Sequence, residues 1–215
     1  MSSPDLLEFA PGAQLLPGPI DLEKWRPKVL RREPPSHSDP VRIIHAPTDR
    51  DIKGTKYLLA AAERLKSAGY PVEVTLLEGL SHDQIHVLSE QADIVVDQLM
   101  LGVHGMFAVE MMARGLPVIC RIREDLRRFY PPDLPLITAE PGSIYDVLES
   151  LLTQPERWAD LGRRGIEYVR REHEMHRVGA LSLSLYNVHV DTSIKSTLHD
   201  AVPGSNGFES ELRQN

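Results

Sequence analysis

The pattern of apolar and polar positions changes character at Val41. There VRIIHA makes a short apolar run, closed by the turn-rich PTDRDIKG. TKYLLAAAERLKSAG follows, with Tyr57, Leu58, Ala61, Ala62 and Leu65 at three- and four-residue spacing, which predicts a helix stopped by Gly69. VEVTLLEG reads as a second strand, and SHDQIHVLSEQA as a short helix with Ser81 as its cap. ADIVVDQ is apolar through its middle, as a strand buried on both faces must be. MFAVEMMARG predicts a helix ending at Gly115, LPVICRI a fourth strand and LPLITA a fifth. Two further helices are expected over residues 144–152 and 154–171. Pro155 lies in the first turn of the second, and Trp158, Leu161, Ile166 and Tyr168 are its packing residues. The apolar run over 176–190 predicts a last helix.

Strands alternating with helices at this cadence predict an α/β fold: a single Rossmann-like parallel sheet with helices on both faces, over residues 41–190. Residues 1–40 carry prolines from Pro4 to Pro40 and too few apolar residues for a stripe. They predict an irregular arm or interdomain linker, and hence a piece of a larger protein. From Asp191 onward Ser, Gly and Asn are frequent, which predicts a disordered tail.

Charge narrows the choice of partners. With 24 Lys and Arg against 31 Asp and Glu, the net charge is −7, which disfavours nucleic acid. The single cysteine, Cys120, can form neither an internal disulfide nor a metal cluster and suits a reducing, cytoplasmic setting. The first residues show no basic stretch followed by an apolar run, so no signal peptide is expected. No apolar segment is long enough to cross a bilayer, and a peripheral membrane contact stays open.

In open α/β sheets ligands bind beyond the carboxyl ends of the strands. In HAPTDRDIKG, Arg50 and Lys53 lie beside Gly54, and two cations near unpaired backbone N–H groups can neutralise a diphosphate. The same residues read equally well as a solvated loop. In DQLMLGVHGMFAVE, Gly102 and Gly105 flank His104 immediately before a helix, so backbone amides can approach a phosphate. Glu110 sits between Val109 and Met111 in an apolar helix, where a carboxylate needs a partner. His45 and His104 fall at the same edge and can donate to a phosphate or a sugar hydroxyl. Arg121 and Arg123, after the fourth strand, can reach a ligand or be solvated, and the solvated reading is the better one. His82 and His86 share a helix face but lack a third metal ligand, so a surface pair is the better reading, and His173 and His176 are similarly weak. No metal site is expected. GxGxxG, Gly-x-Ser-x-Gly and Walker patterns are absent, which argues against a nicotinamide enzyme.

IIHAPTDRDIKGT and ADIVVDQLMLGVHGMFAVEMMARGLPVI together resemble the C-terminal, donor-binding half of the retaining two-domain (GT-B type) glycosyltransferases of group 1, family 4. LLPGPIDLEKWRP is similar to the linker between that family's domains. The resemblance implies retaining transfer of a hexose from a nucleotide-diphosphate sugar to an acceptor hydroxyl, with no other cofactor. It implies that Arg50 and Lys53 grip the diphosphate and stabilise it as it leaves. The amides of Gly105, Met106 and Phe107 face it, with His45, Gly54 and His104 around it. Glu110 matches the second glutamate of the family's Glu-x7-Glu motif, which holds the ribose; Gly102 stands where the first belongs. The family's acceptor site lies on an N-terminal domain, so the chain is expected to be weak or inactive until that domain or a partner chain completes the cleft. Alternatives are a non-catalytic nucleotide-sugar-binding or scaffolding protein, and a phosphotransfer signalling domain. The second would need clustered acids where this sequence has a basic loop.

Overall fold

The computed structural model describes residues 3–28, 36 and 38–185. The chain divides into two compact units, Met1–Gly179 and Ala180–Asn215, and of the second only the end of one helix is described. The expected tail over 191–215 lies outside the described residues, as do residues 186–190.

Four parallel strands form the sheet: β1 (Val41–His45), β2 (Val72–Leu76), β3 (Ile94–Val96) and β4 (Val118–Ile119), in the order β2-β1-β3-β4. Register pairs Val41 with Val72, Ile43 with Ile94 and Val95 with Val118. Alternation along each strand sends its side chains to two separate cores. Ile44 and Val95 join one core, with Met111, Met112, Tyr168 and Val169. Ile43, Ile94 and Val96 join the other, with Leu58, Leu65, Leu148 and Trp158. The helices are α1 (Arg50–Lys53), α2 (Thr55–Ser67), α3 (His82–Leu88), α4 (Met106–Ala113), α5 (Ile144–Thr153), α6 (Arg157–Glu172) and α7 (Met175–Leu185). They cover both faces, as the alternation predicts. Ser81 caps α3 in a full capping box with Gln84.

The expected fifth strand is reduced to a single bridge between Ile137 and Ile119. Ile137 donates to the Val118 carbonyl and accepts from Cys120 N, both at 3.0 Å. Pro135, two residues earlier, brings no N–H to this edge of the sheet.

Two features of the packing carry no apolar stripe. Gly162 and Gly165 of α6 bring that helix against Met112 and Gly115 at the end of α4. The arm of residues 3–28 is mostly irregular but firmly docked. Ile20 and Trp25 are buried, Ile20 N donates to the His173 carbonyl at 2.8 Å, and Lys28 N to that of Arg114 at 3.0 Å. Trp25 packs against the rings of His82 and His86, and the Arg114 guanidinium lies over it. Among the described residues, no helix is long and apolar enough to cross a membrane.

Candidate functional site

A buried carboxylate organises the carboxyl edge of the sheet. Asp97 follows β3 directly and is fully enclosed. Its Oδ1 accepts from Lys53 Nζ at 2.6 Å, and its Oδ2 accepts from Gly105 N at 3.0 Å. The Lys53 side chain keeps 12% of its exposure. One carboxylate therefore fastens the end of α1 to the start of α4. Asp97 escaped the sequence reading, although an acid ending a buried strand needs a partner for the same reason as Glu110.

Local chemistry brings Lys53 there. Asp49 caps α1, its Oδ1 accepting from Asp51 N at 2.9 Å and Ile52 N at 3.0 Å. Arg50 and Lys53 thus lie on one helical turn, where the sequence suggested a loop. Gly54, at φ 75°, ends that turn and starts α2. A Cβ at Gly105 would stand in ordinary contact, 3.6 Å from Asp97 Oδ2 and 3.9 Å from Lys53 Nζ. No side chain caps α4, and the first N–H groups of a helix have no partner within it. Met106 is exposed and Phe107 packs partly into the core.

The other candidates divide. Arg50 is exposed and makes a two-pronged contact with Glu78, its Nε donating to Oε1 at 2.7 Å. Glu110 is mostly buried, and His82 Nε2 lies 2.7 Å from its Oε1. Burial raises the Glu110 pKa, and the His82 hydrogen bond opposes the rise. His82 and His86 are therefore no free surface pair; His86 Nε2 bonds the Lys24 carbonyl at 2.7 Å.

His45 corrects the sequence reading. Two-residue alternation places it with Val41 and Ile43, on the face covered by α2. It is fully buried, with Nδ1 2.7 Å from the Val96 carbonyl and Nε2 2.9 Å from Thr55 Oγ1. Both ring nitrogens are engaged, so this histidine supports the edge from inside and does not reach a ligand. Arg123 keeps part of its exposure, lies over Gly102 and pairs with Glu8 at 2.8 Å and Asp125 at 2.6 Å. A Cβ at Gly102 would overlap the Arg123 chain, and φ there is 85°. The family's first glutamate has no room at this position.

Neither ring nitrogen of His104 has a partner among the described residues, although both are buried. The ring packs against Tyr130, at 5.0 Å between centroids, and against His173 at 5.9 Å. Burial, with His173 alongside, lowers its pKa to about 4. Burial also lowers those of His45 and His173. In each case the unfolded chain takes up a proton at a higher pH than the folded one. The stability these rings confer is thus complete above the unfolded value near 6.5 and falls as pH drops below it, for His104 down to about 4, by up to about 1.4 kcal/mol per pH unit. The urea midpoint is expected to be clearly lower at pH 5 than at pH 7.5. Equal midpoints would mean that water reaches these rings.

Among the described residues, no group of three or more His, Cys, Asp or Glu is placed to hold a metal ion. Comparison with curated protein sequences gives no match. Among solved structures, sucrose-phosphate synthase from Thermosynechococcus elongatus is similar, with a TM-score of 0.63 and 19% identity over 86% of this chain and 56% of that one. HepE from Anabaena, solved with UDP and glucose, gives 0.62 and 11% over 81% and 57%. The C-terminal domain of a glycosyl transferase group 1 family protein from Francisella tularensis gives 0.53 and 17% over 73% of this chain and 99% of that domain. The chain thus spans little more than half of the two longer proteins. These likenesses concern the fold, which is that of GT-B glycosyltransferases. The sequence itself matches the family described as "Glycosyl transferase-like" over residues 51–182, more than half its length, and so the chain belongs to that family.

Proposed function

We propose that this chain is the donor-binding domain of a retaining glycosyltransferase, holding a nucleotide-diphosphate hexose at the start of α4. One observation carries the reading: Lys53 Nζ is held at Asp97 beside the uncapped amides that open α4. An ammonium has three N–H donors, and Asp97 takes one, leaving two to point at an anion. A diphosphate placed there meets that charge and the helix N-terminus together, and both stabilise the negative charge that develops as it leaves. Arg50 completes the basic pair once the diphosphate displaces Glu78, an exchange between solvated groups. Glu110, one turn along α4, receives the ribose hydroxyls. That HepE was solved with UDP and glucose supports a donor of this class. Transfer further requires an acceptor-binding domain, in the same protein or on a partner chain.

Calorimetric titration with uridine, guanosine and adenosine diphosphates and their hexose conjugates tests the reading. At least one diphosphate is expected to bind, and its nucleoside alone to bind at least tenfold more weakly. This corresponds to a loss of about 1.4 kcal/mol or more when the charge-assisted contacts are absent. Transfer by the isolated chain is expected to be weak or undetectable. No heat from any diphosphate would remove the site, and transfer as fast as that of a two-domain relative would remove the need for a second domain.

One observation favours a non-catalytic binding role: the Arg123 side chain lies where the family's first glutamate would stand. Diphosphate binding without turnover after an acceptor domain is supplied would select that reading.

A further inference from the structure

We propose that His82 is a positioning residue that orients Glu110 toward the ribose, with its tautomer set by Lys24 of the arm. The inference rests on the donor-site reading above and adds to it a residue from α3. His82 Nε2 lies 2.7 Å from Glu110 Oε1, and its other ring nitrogen, Nδ1, lies 3.3 Å from Lys24 Nζ. An ammonium donates and cannot accept, so Nδ1 is the acceptor in that contact. The ring proton then resides on Nε2, where it is donated to the carboxylate. Lys24 is itself fixed by Asp83, 2.8 Å away, and the Trp25 ring stands edge-on to the imidazole at 5.2 Å. Salt bridge, ring contact and hydrogen bond thus hold the imidazole in one orientation.

The arrangement suits a vicinal diol. A carboxylate oxygen has two lone pairs, so Oε1 can accept from His82 and from one hydroxyl while Oε2 accepts from the other. Without His82, a mostly buried Glu110 would lose its hydrogen-bond donor and its fixed rotamer together. The effect would appear in the contact with the sugar hydroxyls and not in the hold on the diphosphate, which lies with Lys53 and the start of α4.

The test compares uridine diphosphate with 2′-deoxyuridine diphosphate by calorimetry, on the native chain and on His82→Ala, His82→Gln, Lys24→Met and Glu110→Gln. If another base binds better, its ribo and deoxy forms replace the pair. The native chain is expected to prefer the ribose form by about tenfold, the equivalent of one good hydrogen bond. His82→Ala is expected to lose that preference while binding the deoxy form within about twofold of native. His82→Gln, which keeps a donor near the Nε2 position, is expected to restore most of it, and Lys24→Met to lose part. Circular dichroism is used to check that each variant folds. A preference retained in His82→Ala but lost in Glu110→Gln would overturn the role of His82 and leave the ribose site intact. Tighter binding of both forms by His82→Ala would make His82 a competitor for Glu110, which also overturns the proposal. If the native chain binds neither form with any base, the donor-site reading itself falls.

Discussion

Lys53→Ala is expected to destabilise the folded chain by about 3 kcal/mol or more, the range for removing one partner of a buried ion pair. Asp97 has no exposure, and Lys53 supplies its only cation in hydrogen-bond range among the described residues. After the substitution the carboxylate keeps the Gly105 amide but loses its counter-charge. A desolvated anion then remains where neither water nor another cation relieves it. Pairing the change with Asp97→Asn should recover most of the loss, because the neutral amide oxygen can still accept from Gly105 N. Urea denaturation of the four proteins in this cycle measures the coupling. A loss below about 1 kcal/mol for the single variant would mean that water reaches Asp97. The double variant also separates folding from function: stability should return, while diphosphate binding should not.

Gly162→Ala is expected to be equally damaging for a different reason. Its Cβ would overlap the Gly115 carbonyl oxygen and lie 2.9 Å from the carbonyl carbon, and both atoms belong to backbone that cannot rotate aside. Gly115 is itself at φ 79°, in the tight turn leading into β4, so moving it disturbs the strand as well. Overpacking in a core costs about 1–3 kcal/mol when side chains can yield, and more is expected where only backbone is met. At Gly165 the nearest atom would be the Met112 carbonyl oxygen at 3.1 Å, which a small shift relieves. Gly165→Ala should therefore lose clearly less than Gly162→Ala. Thermal melts of the two variants provide the comparison, and equal melting temperatures would contradict the close approach of α4 and α6.

Much of the layered fold was legible in the sequence because it rests on burial periodicity. Short apolar runs marked β1 to β4, the spacing of Leu58, Ala61, Ala62 and Leu65 marked the inner face of α2, and Ser81 announced the start of α3. Features that depend on particular atoms were harder to read. The expected fifth strand pairs only at Ile137. Gly162 and Gly165 act by lacking a side chain, which no apolar pattern records. At the candidate site, Lys53 and Gly105 meet across Asp97, as their place at one sheet edge suggested. Glu110 was expected to need a partner, but finding it in His82, 28 positions away, required the packing of α3 on α4. His45 shows the limit of reasoning from position alone. It ends a strand at the ligand edge, yet strand alternation turns its ring inward.

The docked arm and the loop before α4 share one residue, His173. His173 grips the arm twice, its ring nitrogen Nδ1 bonding the Gly18 carbonyl at 2.9 Å and its backbone carbonyl accepting from Ile20. The His173 ring also touches that of His104, just ahead of α4. One imidazole thus stands between the arm at Gly18 and His104, the residue that precedes Gly105.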